Sequence, residues 1–148
     1  MSGDFREIVA ELMQAGARFM VVGAHALSVH GVPRATADLD IWIDRTPENA
    51  SRVWKALAAF GAPLDSLGVA REDLLRVDVV VQIGLPPLRV DLLTGLSGVT
   101  FAEAWSSRVE AEFEGVRVPF LGREALIRNK TATGRMKDLG DLEALGES

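Results

Sequence analysis

The chain has 148 residues, of which 48% are hydrophobic and 25% charged, and this fits a single globular domain spanning residues 1–148. A formal net charge of −5 argues against tight nonspecific binding to nucleic acid, and the absence of cysteine excludes disulfides and thiolate metal sites. No apolar run approaches the ~18 residues that span a bilayer, and the N-terminal sequence shows no signal peptide, so we expect a cytoplasmic protein without membrane contact.

The first half of the chain predicts alternating helices and strands. Apolar residues recur at helical spacing after Asp4, which we expect to cap the first helix. Further on, Thr46 and Pro47 form a typical helix start, and Gly61 a typical helix end. In chain order we predict a helix over 5–15, a strand over 19–22, a helix over 24–29, a strand over 37–43 and a helix over 47–60.

The second half predicts mainly strands, followed by helices at the end. We expect residues 62–76 to be irregular apart from one helical turn at 72–75, and the Gly-Pro-rich segment 84–87 to connect two strands as a hairpin. The predicted strands cover 77–83, 88–93, 109–113 and 116–121, and the predicted helices cover 123–131 and 136–145. This order predicts an α+β (mixed α/β) fold, with a mixed β-sheet and helices packed mainly on one face.

Asp38 and Asp40 lie two positions apart on the predicted strand 37–43, so both carboxylates point to the same face, about 6.5–7 Å apart along the backbone. An open site of two carboxylates suits Mg²⁺, which keeps several waters and takes phosphate oxygens as further ligands. Two such ions, about 3.5–4 Å apart, stabilise the attacking and leaving oxygens in phosphoryl transfer. For an isolated Asp-x-Asp the more frequent alternative is a solvent-exposed strand face.

Asp91 adds a third carboxylate on another predicted strand. Its even-numbered neighbours are apolar, which places Asp91 on the opposite face together with Arg89. If the two acidic strands are neighbours, Asp91 meets Asp38 and Asp40, and three crowded acids repel one another unless a cation neutralises them. Asp91 is also suited to act as a general base. The alternative is a surface acid paired with Arg89.

The turn between the first strand and the second helix is a candidate phosphate site. Gly23 and Ala24 allow backbone N–H groups to approach a phosphate at a helix start, although many such turns contain glycine for packing alone. Arg34 and Thr36, just before the acidic strand, have the groups to bind phosphate but are equally plausible as ordinary loop residues. Trp42 shares the face of the acids, where it would stack on a base or simply pack.

These motifs together resemble the nucleotidyltransferase superfamily related to DNA polymerase β. The pattern is Gly23-Ala24, then Asp38-Leu39-Asp40, then a distant Asp91 on a strand. Within this superfamily the chain is similar to the small, minimal nucleotidyltransferases associated with toxin–antitoxin systems. The similarity rests on three segments in order, VVGAHALSVHGVPRATADLDIWID, IGLPPLRVDLLTG and NKTATGRMKDLGDLEAL.

The resemblance implies a nucleotidyltransferase-like fold that includes the helices of residues 123–146. It implies Asp38 and Asp40 as ligands of Mg²⁺, or alternatively Mn²⁺, and Asp91 as third ligand and base. It implies triphosphate binding at Gly23 and its neighbour, although Ala24 lacks the hydroxyl that serine would offer there.

The same resemblance extends to the C-terminal segment. Lys130, with Lys137 and Asp138, matches a basic and acidic segment that assists nucleotide binding or catalysis in some relatives.

The resemblance also implies an activity. The enzyme would move a nucleoside monophosphate from a nucleoside triphosphate to an acceptor hydroxyl, on an RNA, a protein or a small molecule, and release pyrophosphate. The alternative is a non-catalytic or regulatory module of a toxin–antitoxin pair, with a protein partner held by helices 5–15 and 123–145. A third hypothesis is a metal-binding α/β domain that acts on another phosphate compound.

Overall fold

The structure is a computed structural model that describes residues 2–84 and 89–146, with side chains from residue 5 onward. Its strands are β1 (Phe19–Val22), β2 (Asp38–Ile43), β3 (Val80–Ile83), β4 (Arg89–Leu93), β5 (Val109–Phe113) and β6 (Val116–Phe120). Its α-helices are α1 (Ser2–Gln14), α2 (Ala24–Val29), α3 (Pro47–Phe60), α4 (Leu64–Leu67), α5 (Phe101–Ser106), α6 (Arg123–Thr133) and α7 (Met136–Ala144), and a 3₁₀ helix covers Arg71–Leu75. No helix in these ranges is long and apolar enough to cross a membrane.

The six strands form one mixed sheet in the order β3-β4-β2-β1-β6-β5. The pairs β2–β4 and β1–β6 are parallel, and the other three pairs are antiparallel. The predicted α+β fold with a mixed sheet is therefore confirmed. The hairpin-like pairing of β3 with β4 is also confirmed, whereas its connecting residues 85–88 lie outside the described part of the chain.

Each face of the sheet carries its own hydrophobic cluster. The longer helices α1 and α3 pack on one face, where inward residues such as Leu39 and Ile41 of β2 are fully buried. On the other face, Met20 and Trp42 pack with a smaller cluster that includes residues of α2, α5 and α6. The alternation of β2 therefore separates two cores, because successive side chains of a strand point to opposite faces.

The predicted boundaries differ from the structure in a few places. Asp4 lies inside α1 and does not precede it, because the helix already begins at Ser2. The strand predicted from Val77 begins only at Val80, since Asp78 adopts a left-handed turn with φ 55°. Segment 62–76 contains a short α-helix as well as the 3₁₀ turn.

Helix α5 was not predicted, although its sequence contains a recognisable signal. The Thr100 side chain accepts a hydrogen bond from the Glu103 backbone N–H, at 3.3 Å, and Glu103 accepts one from the Thr100 backbone in return. This Thr-x-x-Glu capping box marks a helix start. The helix matters for the site because it covers Trp42 beside the acidic residues.

Candidate functional site

The three predicted acids lie together on one face of the sheet. Strands β2 and β4 are hydrogen-bonded neighbours, and their register places Asp40 opposite Asp91 and Asp38 opposite Arg89. Because residues two apart on a strand share a face, all four side chains belong to the face that carries Trp42. The two acidic strands are therefore neighbours, which brings Asp91 beside Asp38 and Asp40.

Arg89 bridges two of these three acids. Its Nη2 lies 3.2 Å from Oδ2 of Asp38, and its Nε lies 3.2 Å from Oδ1 of Asp91. The Nη2 group also donates to Oδ2 of Asp91 at 3.5 Å, whereas the close Nε–Oδ1 approach is an ion pair without hydrogen-bond alignment. The predicted pairing of Asp91 with Arg89 thus exists, and it includes Asp38 as well.

Asp40 is the acid that has no partner among the described residues. It is half-buried, and its carboxylate makes no hydrogen bond or ion pair within residues 2–84 and 89–146. Burial, followed by repulsion from Asp91 and Asp38, raises the pKa of Asp40 to about 6, against the weaker opposing fields of Arg89 and Lys137. Burial also raises the pKa of Asp91, where the Arg89 guanidinium opposes the shift.

Gly23 makes room for the Asp40 carboxylate. It lies in the turn between β1 and α2 with φ 70° and ψ −147°, a conformation that is almost restricted to glycine. A Cβ atom at this position would overlap Oδ2 of Asp40 and would lie only 3.1 Å from its Cγ. The glycine predicted for phosphate approach thus contacts the acidic site directly, and Ala24 begins the adjoining helix α2.

A cleft of about 740 Å³ opens in front of these residues. Val22, Gly23 and Ala24 line it together with Asp38 and Asp40. Four cationic side chains line it as well, namely Arg34, Lys130, Arg135 and Lys137. The volume is in the range of small-molecule sites, about 300–1,000 Å³. Asp91 does not line this cleft, because its side chain is mostly buried beside Arg89.

Lys130 lies in this cleft wall, as part of a buried ionic cluster. Its Nζ lies 2.9 Å from Asp141 and 3.3 Å from Asp138, and all three residues are buried. Asp138 also accepts hydrogen bonds from Thr133 and from Arg135, each at 2.7 Å. Hydrogen bonds led by that of Arg135 hold the pKa of Asp138 well below its usual range. The Lys130 ammonium therefore positions α7 against α6.

The other predicted phosphate ligands are also engaged by the protein. Arg34 forms an ion pair with Asp141 and still has an exposed side chain in the cleft. The Thr36 hydroxyl accepts from the Asp38 backbone N–H at 3.1 Å and donates to the Asp38 carbonyl at 3.3 Å. Thr36 thereby fixes the start of β2. Among the described cations of the cleft, Lys137 stands out because it is exposed and makes no ion pair.

Sequence reasoning missed two contributors to this site. The double role of Arg89 follows from its strand parity only once β2 is known to be the neighbour of β4. Asp141 was not singled out, although it joins the loop before β2 to α6 through Arg34 and Lys130. No local pattern predicts that contact, because Arg34 and Asp141 are 107 residues apart.

A second, smaller cleft adjoins the first at Gly95 and Leu96. It measures about 410 Å³, and Trp42, Asp44 and Phe101 contribute to its lining. The Trp42 ring meets Phe101 edge-on, with ring centroids 5.1 Å apart, and its buried indole N–H has no hydrogen-bond partner in the described structure. Trp42 is the next residue after Asp40 on the same face of β2, so the second cleft begins directly beside the acids.

The donor set fits a hard divalent cation held by two carboxylates. In residues 2–84 and 89–146, no group of three or more Asp, Glu or His side chains is arranged to ligate one metal ion. Asp38 and Asp40 face the cleft, and Asp40 is half-buried without a counter-charge of its own. Oxygen ligands in an open site suit Mg²⁺ or Mn²⁺, with waters and phosphate oxygens as the remaining ligands.

Comparison with known proteins bears on the fold. The structure is similar to the crystal structure of a "putative nucleotidyltransferase (TM1012)" from Thermotoga maritima, with a TM-score of 0.62. The match covers 95% of this chain and 88% of the other, at 17% sequence identity. The chain therefore has a nucleotidyltransferase-like fold. No family model matches the sequence, and no curated protein matches it either.

Proposed function

We propose that this protein is a metal-dependent nucleotidyltransferase, which moves a nucleoside monophosphate from a nucleoside triphosphate to an acceptor hydroxyl and releases pyrophosphate. One observation carries the proposal. The unpartnered Asp40, beside Asp38 and Asp91, lines a cleft whose other residues include four cations. Carboxylates for a metal and cations for phosphates are the two charge patterns that such a substrate needs in one cleft.

The cationic wall supports binding of a triphosphate. Lys137 has no competing ion pair, and Arg34 and Arg135 have exposed side chains in the cleft. Both arginines also neutralise buried aspartates, so their guanidinium groups are held in place before a ligand arrives. The turn at Gly23 and Ala24 presents backbone at the same cleft, where close phosphate approach is sterically permitted.

The acidic residues support the transfer step. Asp38 and Asp40 would hold Mg²⁺, or Mn²⁺, and the bound ion would neutralise charge on the phosphate oxygens. Asp91 lies opposite Asp40 in the strand register and its side chain is 14% exposed, so its carboxylate would have to turn from Arg89 toward the cleft to act as the base. It would then accept the proton of the acceptor hydroxyl as that oxygen bonds to the α-phosphorus, and the bond to the bridging oxygen would break to release pyrophosphate. Burial raises the pKa of Asp91, which strengthens it as a base. The adjoining cleft at Trp42 offers space for the acceptor.

Nucleotide-dependent stabilisation tests the proposal first. We expect ATP or another nucleoside triphosphate with Mg²⁺ or Mn²⁺ to raise the melting temperature, and an α-labelled nucleotide to transfer label to an RNA, protein or small-molecule acceptor in a cell extract. Asp40→Asn should abolish transfer, because it removes a metal ligand at the cleft. Asp65→Asn is the matched control, since Asp65 is exposed on α4 and lines neither cleft. Equal transfer by wild type and Asp40→Asn would contradict the proposed mechanism.

An exposed apolar surface favours a second candidate function, a regulatory module that binds a protein partner, as in a toxin–antitoxin pair. On α7, Met136 is 87% exposed and Leu139 is 53% exposed, close to the cleft residue Lys137. Large exposed apolar residues grouped on one helix are frequent at protein interfaces. Co-purification of a stoichiometric partner that is lost in Met136→Ser/Leu139→Ser, without nucleotide turnover, would favour this candidate.

A further inference from the structure

Arg89 is a fixed positive charge inside the acidic site. It contacts Asp38 and Asp91 through different nitrogen atoms, each at 3.2 Å, and leaves Asp40 without contact. Three carboxylates against one guanidinium leave two negative charges in the cluster. This is the charge that one divalent cation offsets.

The contacts also divide the carboxylates between two cations. Arg89 contacts both oxygens of Asp91, one through the ion pair and one through a hydrogen bond, but it contacts only Oδ2 of Asp38. The remaining oxygen of Asp38 and both oxygens of Asp40 are therefore available to a metal ion. These two residues, with waters and phosphate oxygens, complete a coordination shell of the kind that Mg²⁺ adopts.

We infer that Arg89 is a positioning residue that occupies the place of a second divalent cation, so that the nucleotide-free site binds one metal ion between Asp38 and Asp40 and keeps Asp91 unligated as the base. The inference rests on the proposed function and goes beyond it, because it sets the number of metal ions in the nucleotide-free site and gives Arg89 a role there. The guanidinium supplies positive charge at that position, between Asp38 and Asp91, without a metal ion.

The inference makes a prediction about metal affinity that needs no nucleotide. A metal ion on Oδ1 of Asp38 and the Arg89 guanidinium on Oδ2 would lie roughly 5–7 Å apart, because they bind the two oxygens of one carboxylate, with a metal–oxygen bond of about 2.1 Å and a nitrogen–oxygen contact of 3.2 Å. Repulsion between a divalent ion and a unit charge at this distance weakens binding about tenfold even at the dielectric constant of water, and more strongly in a half-buried site. Removal of the Arg89 charge should therefore tighten metal binding.

The experiment is a titration of the nucleotide-free protein with Mn²⁺, in which electron paramagnetic resonance counts free and bound ions. We expect one Mn²⁺ per wild-type chain, and at least tenfold tighter binding or a second bound ion in Arg89→Met. Arg89→Gln, which retains hydrogen-bonding groups without charge, should behave in the same way if Arg89→Met folds poorly. Arg89→Lys should remain close to wild type. Arg117→Met, which removes an exposed charge on β6, controls for net charge and should leave Mn²⁺ affinity unchanged.

The outcomes separate the inference from the proposed function. Unchanged or weaker Mn²⁺ binding in both neutral variants would overturn the role of Arg89, and so would two Mn²⁺ ions per wild-type chain. If the wild type still transferred nucleotide in an Asp40-dependent reaction, the proposed function would stand without this inference. A wild type that bound neither Mn²⁺ nor nucleotide would overturn both.

Discussion

The contact between Gly23 and Asp40 leads to a sharp prediction for Gly23→Ala. At φ 70° and ψ −147° the Gly23 backbone occupies a region that costs other residues about 1–3 kcal/mol. The new Cβ would also overlap the Asp40 carboxylate, with Cγ and the Asp40 Cβ at only 3.1 and 3.2 Å. Because the carboxylate tip is able to rotate away, we expect a total loss of unfolding free energy of about 3 kcal/mol, most of it from the backbone.

The effect on function should exceed the effect on stability. Displacement of Asp40 moves the one carboxylate that has no partner in the described structure, and a misplacement of about 1 Å near reacting groups costs roughly 100-fold in rate. We therefore expect Gly23→Ala to lose at least about 100-fold in nucleotide transfer and to bind Mn²⁺ more weakly. Its melting temperature should fall by about 6–12 °C, since 1 kcal/mol corresponds to about 2–4 °C for a chain of this size.

Gly61→Ala is the matched control for this experiment. Gly61 also has a positive φ, of 92°, but a Cβ atom there meets nothing within 4 Å. The control should lose only the stability that a left-handed alanine costs, on the order of 1 kcal/mol, and should keep full transfer activity. Urea unfolding compares the stability of the two variants, and the transfer assay compares their activity. If Gly23→Ala matched Gly61→Ala in both measurements, the proposed steric role of Gly23 would be refuted.

Three further predictions concern charge. In the metal-free protein, stability should fall as the pH rises from about 4 to about 6, because the folded state binds the Asp40 proton more tightly than the unfolded state does. After allowance for solvent screening the loss from Asp40 is about 1–2 kcal/mol. Urea unfolding should show this loss greatly reduced in Asp40→Asn, where only the raised pKa of Asp91 still contributes, and unchanged in Asp65→Asn. Conversely, Asp40→Asn should raise the metal-free melting temperature above pH 6 by a few degrees while it abolishes transfer; a lower melting temperature would contradict the repulsion described for the acids. Asp138→Asn should lower the unfolding free energy by about 3 kcal/mol, because it breaks a buried ion pair and leaves the Lys130 ammonium with less negative charge around it. A change below about 1 kcal/mol in urea unfolding, which is the value of a surface ion pair, would contradict a structural role for this cluster.

The local pattern of the chain was enough to predict most elements and the orientation of the acids. Strand β2 follows from strict alternation, and helix α2 has the predicted bounds of residues 24–29 because Gly23 and Gly31 delimit it. The errors arose where local signals compete. The left-handed turn at Asp78 shortens a segment that is rich in β-forming residues, and the capping box at Thr100 begins a helix that was not predicted.

Strand periodicity alone places Asp38, Asp40 and Trp42 on one strand face and Asp91 on a face with Arg89, because side-chain direction along a strand depends only on position. The packing of the whole chain was needed to bring the two faces together, to let Arg89 link Asp91 with Asp38, which lies 51 positions before Arg89, and to place Gly23 against Asp40. It also decided that Lys130 pairs with Asp138 and Asp141 at the wall of the cleft. The physical reason is that these contacts depend on which strands become neighbours and on how α6 and α7 pack, and both follow from burial summed over the whole chain.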